Sequence, residues 1–289
     1  MRCLTLIVAL VLSSCAGEGI LLPQGGSPCD GWGEPQAVGR VADPALTEVS
    51  GIVASRAHPG IVWAHNDSDA APVLWALDGS GNSVATLELA GAEAFDWEAS
   101  SLGPGPGGGD YLYVADTGDN LGVRPYGVLY RVAEPAVVDG PLRASAEALR
   151  VTYPDRPRDV EAMFVDPGTG DAYLIAKVLL GTAPVFRIPA EAWGTGEARA
   201  ERVAAIDTGL LPATAADLSA DGQVLAVRTY VAVLLFVRPA GGSLDALLAA
   251  TPCRVPAPPE AQGEAITWDG GDYLTIGEGS AAPIYRVSR

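Results

Sequence analysis

From about residue 37 onward, short apolar runs alternate with clusters of Gly, Pro and Asp, and no long stretch repeats every 3.6 residues. Several of these runs open on a carboxylate: Glu48 in EVSG, Glu98 in DWEAS, Glu161 in DVEAM, Asp217 in AADLS and Glu264 in GEAIT, at intervals of 50, 63, 56 and 47 residues. Each such run is followed by a turn of the kind AHPG, GPGPGGGD, DPGTGD, SADG or DGGD, whose residues supply the positive or fixed φ that a hairpin needs. A second run follows each turn: IVWAHND, YLYVADTGDN, AYLIAK, VLAVRTY and DYLTIGEG. A third carries an aromatic near its middle, Trp75, Tyr130, Phe186, Phe236 and Tyr285, spaced 55, 56, 50 and 49 residues apart. Three features in the same order five times predict a repeat of strands a, b and c.

A fourth strand, d, is visible in four units as VATLELA, ALRVTYP, ERVAAID and CRVPAP. The fifth unit reaches Arg289 without one, while QAVGRVA at 36–42 is left over at the other end. If that segment supplies the missing strand, both chain ends share one blade and no free sheet edge remains. The pattern therefore predicts an all-β, single-domain β-propeller over residues 37–289, with five four-stranded blades closed by an N-terminal strand. The long interval between Glu98 and Glu161 leaves a sixth blade open; with five blades, the extra length belongs in loops. Short helices are expected at most near AEAWG (190–194) and SLDALLAA (243–250).

The N-terminus has a different character. Arg2 precedes an apolar run from Leu4 to Leu12, too short to cross a bilayer and of the form of a secretory signal. It ends in Leu12-Ser13-Ser14-Cys15, which resembles the lipobox of bacterial lipoproteins; the resemblance implies a signal peptide over 1–14 and a lipidated Cys15. An ordinary signal peptide cut after Ala16 or Gly17 is the other reading. Residues 15–36 then form a lipidated, flexible tether, and the protein is expected in the bacterial cell envelope, on the membrane through its lipid alone. Export leaves Cys29 and Cys253 as a candidate disulfide stapling the N-terminal arm to a late blade.

The chain carries 18 basic and 35 acidic residues, a formal net charge of −17. That balance argues against a nucleic-acid partner, whose phosphates call for basic patches. Lys177 is the one lysine, and a monomer is expected.

In a propeller, strand-a starts and strand-b ends share one face near the axis. The expected mouth there is lined by Glu48, Asp67, Asp96, Glu98, Asp116, Asp119, Asn120, Glu161, Asp217, Glu264 and Glu278, with Lys177 and Arg228 as its cations. Hard oxygen donors of this kind select Ca²⁺, or Mg²⁺, over softer ions. DTGDN, with oxygens at alternate positions around a glycine, suits a cation loop. Each residue also has a plain structural role open to it, because Asp and Asn at strand ends are common turn formers. With only His58 and His65 present, a His-rich zinc site is excluded; His65, Lys177 and Arg228 are the candidates for catalytic roles.

EVSG with HNDSD, DWEAS, YVADTGDN, DVEAM and GEAITW resemble a family of secreted bacterial propellers over nearly the whole mature chain. More distantly, the acidic blade starts are similar to calcium-binding propeller hydrolases of the gluconolactonase, paraoxonase and phytase-like kinds. That resemblance implies channel ligands at Glu48, Glu98, Glu161 and Glu264, but the phosphate-site motifs of the phytases and a paraoxonase-like His pair are missing. Two functions follow as expectations. One is calcium-assisted binding of an anionic small molecule, glycan or protein at the mouth. The other is a metal-dependent hydrolase of a phosphate ester or lactone, with Lys177 and Arg228 holding the anion.

Overall fold

A computed structural model describes residues 27–67 and 70–289. The predicted signal peptide, Cys15, most of the tether, Ser68 and Asp69 lie outside the described residues.

The first strand, β1 (Gln36–Arg40), pairs with the last, as the closing-strand prediction requires. Blade I then runs β2 (Val49–Ala54), β3 (Val62–Asn66), β4 (Val73–Leu77) and β5 (Ser83–Ala90). Blade II comprises β6 (Trp97–Pro104), β7 (Asp110–Asp116) and β8 (Gly127–Ala133), then, after the excursion β9 (Gly140–Ser145), its outer strand β10 (Glu147–Thr152). Blade III is β11 (Val160–Val165), β12 (Ala172–Ala176) and β13 (Thr182–Ile188), then, past the short β14 (Glu197–Arg199), β15 (Glu201–Asp207). Blade IV is β16 (Ala213–Leu218), β17 (Val224–Thr229), β18 (Val233–Val237) and β19 (Cys253–Val255). In blade V, β20 (Gly263–Asp269), β21 (Asp272–Gly277) and β22 (Pro283–Val287) are completed by β1.

The result is a five-bladed propeller. The surplus length between Glu98 and Glu161, expected in loops, is instead strand: β9 lies parallel on β5 and adds a fifth strand to blade I. β14 does the same on β10 of blade II. Both cover outer edges that would otherwise expose unpaired amides. The helix α1 (Leu244–Leu248), N-capped by Ser243, and a 3₁₀ turn over Ala190–Gly194 fall where the sequence allowed them.

Burial explains the two kinds of apolar pattern. Strands β2, β11 and β12 are buried at every position, because inner strands are sandwiched between neighbouring blades on both faces. Outer strands such as β5 alternate, with Ala85, Leu87 and Leu89 inward. The apolar core forms five clusters, one at each blade junction. The c-strand aromatics serve this purpose: Phe186 of blade III packs with Leu129 and Leu149 of blade II, and Phe236 of blade IV with Phe164 and Ile175 of blade III. Cys29 and Cys253 are bonded, joining the segment before β1 to the first residue of β19. The disulfide is consistent with export, and no helix among the described residues is long and apolar enough to cross a membrane.

Candidate functional site: an acidic ring at the axis

Every inner strand carries a bulge at the same place. Cα pairing skips one residue between Val49 and Gly51, Trp97 and Ala99, Val160 and Ala162, Ala213 and Ala215, and Gly263 and Ala265. The skipped residues are Ser50, Glu98, Glu161, Thr214 and Glu264. A bulge frees a residue from the ladder and re-aims its side chain, so the structural repeat is this ring of three carboxylates and two hydroxyls. Its members meet across blade junctions. Ser50 Oγ lies 3.3 Å from both the backbone oxygen and Oε2 of Glu98, and Thr214 Oγ1 donates to the Gly263 carbonyl at 2.7 Å.

Two predicted members of the acidic series sit elsewhere. Glu48 is two residues before the bulge, exposed on the loop, with its backbone held by Asn66 Oδ1 and Asp67 N. Asp217 is three residues past the bulge, toward the opposite face. There its Oδ2 accepts from Trp268 N at 2.8 Å and Thr267 Oγ1 at 3.0 Å, pinning blade IV to blade V. It lines a separate cavity of about 400 Å³ with Leu102, Val165 and Trp268. Burial nonetheless raises the Asp217 carboxyl to about 6.

Around Glu98 the acids crowd. One oxygen each from Asp67, Asp96 and Glu98 lie within 4.8 Å of one another, and so do oxygens from Glu98, Asp159 and Glu161. Glu98 belongs to both groups. Burial first, then the charges of Glu161, Asp67, Asp96 and Asp159, push its carboxyl up to about 10. Glu161 is raised to about 8 by burial against the opposing pull of Lys177. Glu264 rises to about 7, mainly by burial and with Glu278 and Asp67 adding to it, and Asp96 rises to about 7 by burial and the neighbouring Asp67. Glu278 is shifted up for the same reasons. The Oε2 atom of Glu161 is buried with no hydrogen-bond partner among the described residues. Gly118 is required here: a Cβ at that position would fall 2.2 Å from Asp96 Oδ2 and 2.5 Å from Glu98 Oε1.

Other predicted ligands are engaged locally. Asp119 accepts from Val123 N at 2.8 Å and Arg124 N at 2.9 Å, and Asp116 accepts from Phe95 N, Asp96 N and the Arg124 guanidinium. DTGDN thus folds its own loop through these two carboxylates, while Asn120 is exposed.

The expected cations separate. Lys177 Nζ pairs with Glu161 and stands 3.9 Å from Asp159, within the mouth. Arg228 does not reach the mouth; it is fully buried, bonded to Glu260 at 2.5 Å, with its Nη2 so close that no side chain larger than that of Gly263 would fit. The cause is register: Arg228 faces Ala215 one pair below the bulge, inside the blade stack. His65 holds the matching place in blade I, opposite Gly51. It is fully buried, 2.9 Å from the Asn66 carbonyl through Nδ1 and edge-on to Trp97, and burial lowers it to about 4, so it is neutral at physiological pH.

Asp159 and Glu260 were missed in the sequence. Asp159 had a signal, since Asp159-Val160-Glu161 repeats Asp96-Trp97-Glu98 in the next blade. Glu260 had none, because it comes from an irregular loop.

No protein-family model and no curated protein matches this chain. Among solved structures, the chain is similar to the PQQ-bound form of aldose sugar dehydrogenase (Adh) from Streptomyces coelicolor. The identity is 11% and the TM-score 0.51, over 88% of this chain and 99% of that one. A likeness at that identity bears on the propeller fold alone.

Proposed function

We propose that the mouth is a calcium-binding site used to bind a ligand or partner, on a protein exported and anchored through Cys15. The observation that carries the reading is Glu98, a buried carboxyl shared by two acidic triads whose mutual repulsion a bound cation would offset. The donors fit the ion: all are carboxylate oxygens, the ligands Ca²⁺ prefers, and Mg²⁺ would demand a stricter octahedron. Asp67, Asp96 and Glu98 would hold the ion, because Lys177 already neutralises Glu161 beside Asp159. A bound divalent ion would offset part of the crowded carboxylate charge and fix the three side chains that hold it.

The binding reading is favoured over a hydrolase. The hydrolase needed Lys177 and Arg228 free to hold an anion; Arg228 is buried on Glu260, and Lys177 is committed to Glu161. Isothermal titration of the purified protein with CaCl₂ tests the reading. One stoichiometric site, lost in Glu98→Gln, is expected; no binding at millimolar calcium would overturn it. Intact-mass analysis, comparing wild type with Cys15→Ser, tests the anchor, and an unlipidated wild type would remove that part.

A further inference from the structure

Among the described residues, ten large hydrophobic side chains are strongly exposed, and eight of them stand on loops that join strand d to a or strand b to c. Those loops form the face that carries the acidic mouth. Two of the eight are partly covered, Phe95 beneath Arg124 and Tyr126 beneath Arg150. The other six are bare: Leu121 and Val123 in blade II, Leu179 and Leu180 in blade III, Leu210 between blades III and IV, and Val231 in blade IV. They form an arc over three consecutive blades. On the side of blades V and I the described loops present Glu48 and Glu278 instead. Isolated exposed apolar residues are ordinary, but six gathered on one side of one opening mark a contact surface.

We propose that this face docks a polypeptide segment whose leucine- or phenylalanine-like side chains lie on the arc while a lysine or arginine enters the mouth. Charge selects that occupant. The mouth presents seven carboxylates, Glu278 and Glu264 with the five of the two triads, against Lys177. Even with one divalent ion bound, seven carboxyl groups face only three positive charges, the ion's two and that of Lys177. An anionic bilayer would be repelled by this mouth and by a net charge of −17. The segment from Ser27 to Gly33 also lies against Ser288 and Arg289, on the face away from the mouth. The chain therefore enters the fold on the face opposite the arc. Apolar contact with a buried charge-complementary anchor is how protein surfaces combine affinity with selectivity.

The proposal rests on reading the mouth as a binding site, but not on calcium. Its test is fluorescence anisotropy with three labelled synthetic peptides: one of alternating Leu, Phe and Arg, one with Glu for Arg, and one with Ser for Leu and Phe. The basic apolar peptide should bind at least roughly tenfold more tightly than either control. It should also lose at least that factor on the exposed-surface variant Leu121→Ser/Leu180→Ser/Leu210→Ser, whose changes bury nothing. Equal binding of the Glu peptide, or an unaffected triple variant, overturns the proposal. So does adsorption to phosphatidylcholine vesicles, with or without phosphatidylglycerol, in place of peptide binding. Calorimetric calcium titration on the same samples separates the two readings: calcium without peptide sinks the docking alone, and peptide without calcium sinks the metal alone.

Discussion

Replacing Glu98 with glutamine should make the metal-free protein more stable and the calcium-treated protein less responsive. The carboxyl titrates near 4.5 unfolded and about 10 folded. A carboxyl with a raised folded pKa favours the fold fully below its unfolded value, and that advantage is lost as pH climbs toward the folded value. At neutral pH the protein has climbed about 2.5 units of that range, so the folded state carries a penalty of about 3 kcal/mol at roughly 1.4 kcal/mol per unit. Glu98 is 6% exposed, so solvent screens little of it. Glutamine keeps the shape, keeps an oxygen for Ser50 and carries no charge to desolvate. The expected gain in melting temperature is roughly 6–12 °C for a domain of this size. The same change removes the carboxylate charge common to both triads, so calcium at a hundred times the wild-type Kd, which should stabilise wild type by about 2.7 kcal/mol, should do nothing to the variant. Differential scanning fluorimetry with EDTA and with CaCl₂ reads both effects. If Glu98→Gln lowers the metal-free melting temperature, the carboxylate is a structural acceptor and the charge argument is wrong. If calcium still raises the variant's melting temperature by the wild-type amount, the ion is not held there.

The other raised groups extend this to pH. With Glu161 at about 8 and Glu264 and Asp96 at about 7, metal-free protein should lose melting temperature steadily as pH rises from about 5 to about 8, and calcium should flatten the slope; a flat metal-free profile would contradict the shifts. Arg228→Met should cost about 3–5 kcal/mol in urea unfolding by leaving Glu260 buried and unpaired, and Arg228→Met/Glu260→Gln should recover most of it. Cys29→Ser/Cys253→Ser should cost about 2–5 kcal/mol, since the bond closes a separation of 224 residues; an unchanged transition would mean the closing strand holds without its staple.

Blade count, the order of strands and the closing strand were legible because they rest on patterns several residues long. The aromatic of each c strand and the turn of each hairpin place a blade independently of one another. The outer strands could be read from their alternation, and QAVGRVA lay within two residues of β1. The β9 and β14 excursions were not read: β14 is only three residues long, and the alternation of β9 is brief, with Leu142 and Ala144 as its apolar side, and runs almost directly into β10.

The site was legible only to the resolution of the register. Acids at strand starts were visible, but the position that faces the axis is fixed by a bulge, and a bulge is a property of pairing rather than of composition. Aligning on the bulges rather than on the acids puts Ser50 and Thr214 in the ring and matches Glu48 with Asp96 and Asp159, one pleat earlier. It also moves Asp217 to the other face. That register puts the two acidic triads on blades I, II and III, where Lys177 answers only part of the charge, and adds Glu264 from blade V. Arg228 illustrates the converse. One pair below the bulge, the same strand end turns a cation into the blade stack, where a buried glutamate and not a ligand must neutralise it. A single residue of register therefore decides whether a charged side chain in this fold is structural or is offered to a partner. The mouth's unbalanced charge consequently lies on blades I, II, III and V, and the apolar arc borders it over blades II, III and IV.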